Sequence, residues 1–185
     1  GRPMSISLAQ GLSPNGWRKI LSRIEGAVSS GLVMRGQVAP RPIGILMGLT
    51  TTLTPFTTRP SYMEVSKLPI AERIVALRDP ERKARILAEE TGPGFQRLYK
   101  MMQGGGKVWL MTDPPNYEPA PEDSFAGIAQ ENGQDAWSMI YDAMLGNEGK
   151  AILYMPFANY ADDNLDCCRE MILHDNTVMG LGDGG

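Results

Sequence analysis

The sequence predicts an α/β fold with parallel strands, and three observations predict it. Strand, helix and strand follow one another between Pro3 and Gln37. The same order returns from Ala151 to the C-terminus. Between them runs a stretch of short helices and prolines. Strand–helix–strand units imply parallel pairing and a right-handed crossover. Two such units flanking an insertion point to part of a parallel α/β architecture.

The elements follow in order. Met4, Ile6 and Leu8 alternate with small or polar residues, the period of a strand from Pro3 to Gln10. This strand begins almost at residue 1, which leads us to expect an excerpt of a longer protein. Ser13-Pro14 starts a helix, with proline in its first turn. Trp17, Ile20, Leu21, Ile24 and Val28 recur at helical spacing, and Gly31 ends the run. Leu32 to Gln37 is the next strand. Val38-Ala-Pro-Arg-Pro42 then forms a rigid loop, holding Arg41 between two prolines. An arginine held so is able to grip a carboxylate with two parallel bonds, or it is a solvated loop residue. Ile43 to Leu49 is apolar and punctuated by glycine. Thr50 to Pro60 has no period and reads as a loop packed over the domain.

The middle of the chain, about residues 50–133, reads as an insertion. Ser61 to Glu64 has capping-box spacing. Pro69 to Leu77 is a short amphipathic helix, and Asp79-Pro80 opens another whose charges form a solvated face. Gly104-Gly-Gly106 lacks a Gly-Lys-Ser/Thr signature, and a strand follows it, so it is not a phosphate loop. Lys107 to Met111 is that strand. Thr112 to Pro121 carries Pro114, Pro115, Pro119 and Pro121 and is extended. A helix with acidic residues at its start runs from Pro121 to Gly133. Asp135 caps the next helix, with Trp137, Ile140, Tyr141 and Met144 on one face. Ala151 to Met155 is a buried strand ended by Pro156, with Asn159 and Tyr160 on the loop beyond. Asp162 to Leu173 is a helix carrying Cys167 and Cys168, one facing inward and one outward. Thr177 to Met179 is a short buried strand.

Composition narrows the function. Of 185 residues, 42% are hydrophobic and 21% charged, ordinary for one globular domain. A net charge of −3 without a basic patch argues against nucleic acid. No apolar run is long enough to span a membrane, and no signal peptide is visible. The two adjacent cysteines suggest a reducing, cytoplasmic compartment. One histidine, His174, cannot build a histidine-rich metal site. It reads as a helix C-terminal residue favoured by the dipole.

The last residues organise the rest. Gly180 and Gly182 let the backbone turn or approach closely, and Asp183 sits among glycines. A carboxylate at the end of a buried strand is where α/β barrels keep catalytic groups. An Asp-Gly turn is the other reading.

Ala158-Asn-Tyr-Ala-Asp162, Asn164-Leu-Asp166, Arg169-Glu-Met-Ile-Leu-His174 and Asn176-Thr-Val-Met-Gly-Leu-Gly-Asp-Gly-Gly185 together resemble the amidohydrolase superfamily. The closer resemblance is to its D-aminoacylase / N-acyl-D-amino-acid deacylase branch. Arg35 to Gly44 and the Gln134-Asp135 helix start are similar to the same branch. The resemblance implies a (β/α)8 TIM barrel, of which this chain covers about the last three strands plus the insertion. It implies zinc, and hydrolysis of the C–N bond in N-acyl amino acids or related amides by a zinc-activated water. Asp183 matches the family's aspartate at the end of the last barrel strand, which touches the metal and handles the proton of the attacking water. Arg41 and Asn159 are the candidate substrate contacts. The family's histidine at the end of the first strand here is replaced by Leu8-Ala9-Gln10. Its remaining ligands would lie upstream of Gly1, so the isolated chain is expected to be inactive and to lack zinc. A barrel excerpt leaves the edges Pro3–Gln10 and Thr177–Met179 open to the rest of the barrel or to self-association. The alternative is an amidohydrolase-like binding or assembly module without metal.

Overall fold

A computed structural model describes residues 2–180. In chain order the elements are β1 (Met4–Ser7), α1 (Gly16–Ser29), β2 (Met34–Val38), β3 (Ile43–Met47), α2 (Pro60–Met63), α3 (Ile70–Leu77) and α4 (Pro80–Ala88). There follow α5 (Gln96–Met101), β4 (Trp109–Leu110), α6 (Phe125–Asn132), α7 (Ala136–Met144), the single turn α8 (Gly146–Gly149), β5 (Leu153–Ala158), α9 (Asp166–Ile172) and β6 (Thr177–Met179). The fold is mixed α/β with small sheets. Among the described residues no closed barrel forms, and the sheet orders are β1-β2-β6 and β3-β5-β4. The chain divides into two compact units, Gly1–Gly44 with Pro156–Gly185, and Ile45–Met155.

The first unit is built on the parallel sheet. Met4 pairs with Met34 and Ser7 with Gln37, and on the other side of β2 Gly36 pairs with Thr177 and Val38 with Met179. Leu8 and Val38 point to one face, where Trp17 and Leu21 of α1 and Cys167, Cys168 and Met171 of α9 cover them. Gly36 packs closely there: a Cβ would lie 3.2 Å from Ile24 Cδ1 and from Leu8, so those side chains would have to give. On the opposite face Ser5, Ser7 and Gln37 are exposed, and Gln37 Nε2 donates to Ser5 Oγ at 3.0 Å. α1 crosses over from β1 to β2. In contrast, α9 joins β5 to β6, and β5 pairs in the other sheet, so the second strand–helix–strand unit read from the sequence does not pair within one sheet.

The second unit is mainly helical. Phe56, fully buried, meets the Trp137 ring edge-on at 6.2 Å and Tyr141 at 5.5 Å, and Tyr99 stacks on Trp137 at 4.5 Å. Such aromatic pairs add to plain area burial. Tyr141 Oη donates to the Leu77 carbonyl at 2.8 Å, tying α7 to the end of α3, and burial pushes its pKa up. Asp79 and Asp135 cap α4 and α7, accepting from Glu81 N at 3.0 Å and Ser138 N at 2.7 Å. Gly133 closes α6 in the left-handed region at φ 64°.

Several expectations need correction. Pro156 does not end its strand, because β5 runs through it to Ala158. The partner β4 pairs only with Leu153 and Tyr154, so the missing N–H of Pro156 breaks no bond of that ladder. The helix expected from Asp162 begins at Asp166. Asp163 sits at φ 57°, and Asn164 accepts from Asp166 N at 3.0 Å, a side-chain turn that competes with helix. The helix expected from Pro121 begins at Phe125, where Ser124 accepts from Gly127 N at 3.1 Å. Both Cys167 and Cys168 are buried, so neither leans outward. Only Thr177 of β6 is buried. Val178 and Met179 are exposed because β6 is an edge of the sheet.

Candidate functional site

The C-terminal ends of β1, β2 and β6 meet at a cleft of about 290 Å³ lined by Ser7, Leu8, Ala9, Gln37, Ala39, Ile43 and Gly180. Ligands of parallel α/β folds bind at this end of the strands. The local sequence explains the opening. Ala9, Ala39 and Gly180 are small, and the strands stop pairing there: Leu8 N donates to Gln37 O at 2.8 Å, and Gly180 N to Val38 O at 2.8 Å. A Cβ on Gly180 would lie 2.9 Å from Gln37 Cβ, so only glycine fits where β6 leaves the sheet. Asp183, the expected catalytic and metal-binding carboxylate, lies three residues further and outside the described residues.

Asn159 is fully buried and holds the loops at this end together. Its Oδ1 accepts from Gln10 N at 2.8 Å, and its own N–H donates to Gln10 O at 2.8 Å. Its Nδ2 donates to the carbonyls of Ala39 at 3.2 Å and Arg41 at 3.3 Å. The residue adopts φ 60°, a left-handed backbone that asparagine tolerates better than most. The structure therefore brings the two candidate substrate contacts together, through the backbone of Arg41. Arg41 as a residue is half-buried, with Nη1 donating to Pro42 O at 3.0 Å.

Gln10 stands at the strand end where the resemblance leads one to expect histidine. Its side chain is fully engaged: Nε2 donates to Asp162 Oδ2 at 2.7 Å and Pro14 O at 3.3 Å, and Oε1 accepts from Ala161 N at 2.8 Å. Its role is to fasten the 158–162 loop to the end of β1. Beside it lies a polar cleft of about 240 Å³ lined in part by Trp17, Arg18, Asp162, Cys167 and Glu170. Arg18 grips Glu170 with both terminal nitrogens, which holds the Glu170 carboxyl below its usual range and raises Arg18. Cys167 is lowered by a hydrogen bond with the Cys168 thiol, against the opposing effect of burial.

His174 lies beyond α9, at the end of the sheet where β6 begins. Its Nδ1 accepts from Asn176 N at 3.1 Å, so Nε2 carries the proton and donates to Glu25 Oε1 at 3.0 Å. Both ring nitrogens are thus occupied. Zinc requires three or four nitrogen, sulfur or carboxylate donors. Among the described residues no group of three His, Cys, Asp or Glu is arranged to hold a metal ion. The described residues do not by themselves fit a zinc site. No described helix is long and apolar enough to cross a membrane.

One residue that the sequence did not single out is Arg59, at the start of α2. It is 3% exposed and lines a cleft of about 510 Å³ in the second unit. An arginine inside a threonine- and proline-rich loop has no period to mark it as buried. Compared with protein-family models, curated proteins and solved structures, the chain has no significant match.

Proposed function

We propose that this chain is part of a metal-dependent amidohydrolase acting on the amide C–N bond of N-acyl amino acids or related amides. In this proposal it supplies the last three strands of a (β/α)8 barrel together with a long insertion. One observation carries the proposal. β1, β2 and β6 lie side by side, all parallel, with α1 and α9 over the same face, while β3, β4 and β5, which come between β2 and β6 in the chain, pair in a separate sheet. Neighbouring barrel strands have this arrangement, whereas doubly wound sheets reverse direction and carry helices on both faces. The cleft at the C-terminal strand ends supports it further.

Within this proposal Asp183 takes the proton of the attacking water and returns it to the leaving amine. Arg41 grips the substrate carboxylate, and Asn159 positions the Arg41 loop. Zinc would be held by donors outside the described residues, with Asp183 as this chain's contribution, and would polarise the amide carbonyl. The open edges β1 and β6 pair with the rest of the barrel.

The test uses the longer protein that carries this segment, assayed on N-acyl-D-amino acids with zinc measured by elemental analysis. Asp183→Asn should lower kcat by at least ~100-fold with the fold retained. Near-normal turnover in the variant would reduce Asp183 to a turn residue. A parent with neither zinc nor hydrolysis would favour the binding or assembly module instead.

A further inference from the structure

The largest cleft given above belongs to the second unit, and Arg59, Leu87, Glu89, Glu90, Thr91, Gln96, Tyr99 and Lys100 line it. A guanidinium has five N–H donors. Two donors on Nη1 go to the carbonyls of Ile86 at 2.5 Å and Leu87 at 3.2 Å, the last turn of α4. One on Nη2 goes to Tyr99 Oη at 3.1 Å. The Nε–H has no hydrogen-bond partner, and one Nη2–H is left over. Nε and Nη2 share the edge of a guanidinium that grips a carboxylate with two parallel bonds. The buried Thr91 Oγ1, on the same cleft wall, also has no partner.

Charge argues in the same direction. A buried cation needs an anion or a full set of hydrogen bonds. No carboxylate of the described residues lies within ion-pair distance of Arg59. The nearby Glu89 carboxylate is engaged instead by Ser61, accepting from its N at 3.0 Å and its Oγ at 2.5 Å. The rings of Phe56 and Tyr99, 4.9 and 5.5 Å from Cζ, compensate the charge only in part. Two unsatisfied buried polar groups on one cleft wall are an anomaly that a ligand would remove.

We propose that this cleft binds a small molecule bearing one carboxylate. The carboxylate sits on Arg59 Nε and Nη2, displacing the half-buried Tyr99 hydroxyl, and accepts a third bond from Thr91 Oγ1. Its volume suits a small ligand. Glu89 and Glu90 on the wall disfavour a dianion such as phosphate. The site lies wholly within the second unit and does not rest on the function proposed above.

The experiment titrates the 185-residue chain with acetate and with propionate at constant ionic strength, using chloride and inorganic phosphate as comparisons. The readouts are the ¹H–¹⁵N signals of Arg59 Nε–H and of the Thr91 amide. Both carboxylates should give saturable shifts of both signals, and chloride and phosphate should not. Thr91→Val, which keeps the shape and removes the hydroxyl, should weaken binding about tenfold. Arg59→Lys, which keeps the charge and loses the paired donors, should weaken it more. If Arg59→Lys does not fold, Thr91→Val decides alone. Shifts that do not saturate, phosphate binding as tight as acetate, or a Thr91→Val variant that titrates like the wild type would each overturn the site.

Discussion

The two units bury their apolar residues in different ways. The first covers one face of a three-stranded parallel sheet with α1 and α9 and leaves Ser5, Ser7 and Gln37 exposed on the other. Its edge residues Met4 and Met179 are 58% and 65% exposed. The second gathers its helices around Phe56, Tyr141 and Trp137, with a ladder between β4 and β5 of only two residue pairs. A half-covered sheet keeps small residues and open space at its strand ends, where chemistry is possible. A helical core closed by aromatic contacts keeps its stability in side-chain packing.

That contrast is tested first at the cores. Phe56→Ala removes the ring that both Trp137 and Tyr141 contact and should cost about 3–5 kcal/mol. Leu21→Ala in α1, 8% exposed beside an open sheet, should cost about 2 kcal/mol, because such a site relaxes more easily. Urea denaturation of both variants gives the ranking. A smaller loss for Phe56→Ala would reverse the assignment of the stronger core.

Asn159 sharpens the picture of the first unit. Asn159→Ala removes the acceptor for Gln10 N and the donor to Ala39 and Arg41, and places alanine at φ 60°. A loss of about 2–3 kcal/mol is expected, with faster amide exchange at Gln10. Asn159→Gly relieves the backbone strain alone and should recover about 1 kcal/mol of it. Unchanged exchange at Gln10 in the alanine variant would show that the loops hold without this side chain.

The smallest expected effect on stability, and the clearest on assembly, concerns the edges. The 185-residue chain should self-associate, and Met4→Lys with Met179→Lys should shift it toward the monomer mass of 20.2 kDa, since lysine on an edge strand discourages pairing. Light scattering coupled to size-exclusion chromatography reads this directly. A wild-type chain that already runs as a stable monomer would remove the difference in exposure between the units.

Much of the local structure was legible before folding. The Trp17–Leu21–Ile24 stripe marks α1, Asp79 and Asp135 are seen as caps in the bonds they accept, and Gly133 ends α6. Where the expectation failed, a competing local interaction or a missing partner decided. Asn164 turned the start of α9 aside, and the short β4 let Pro156 stay in its strand. The candidate site was half legible. The small residues at the strand ends and the Arg41 loop stand out in sequence, whereas the Asn159–Gln10 lock does not, because its partners are 149 residues apart.

The sequence by itself determined the elements, because hydrophobic period, caps and glycine positions act over a few residues. It also determined the parallel pairing of β1 with β2, because a strand–helix–strand connection permits little else, whereas β6 pairs with β2 and not, as the second such unit implies, with β5. Only the tertiary structure decided which polar groups are buried and what they meet. Gln10 reaches Asp162, Glu89 turns to Ser61, and Arg59 lies inside the second unit without an ion-pair partner among the described residues. The reason is physical: the environment of a charged or amide side chain is set by segments brought together from far along the chain. No local pattern records which of them will arrive.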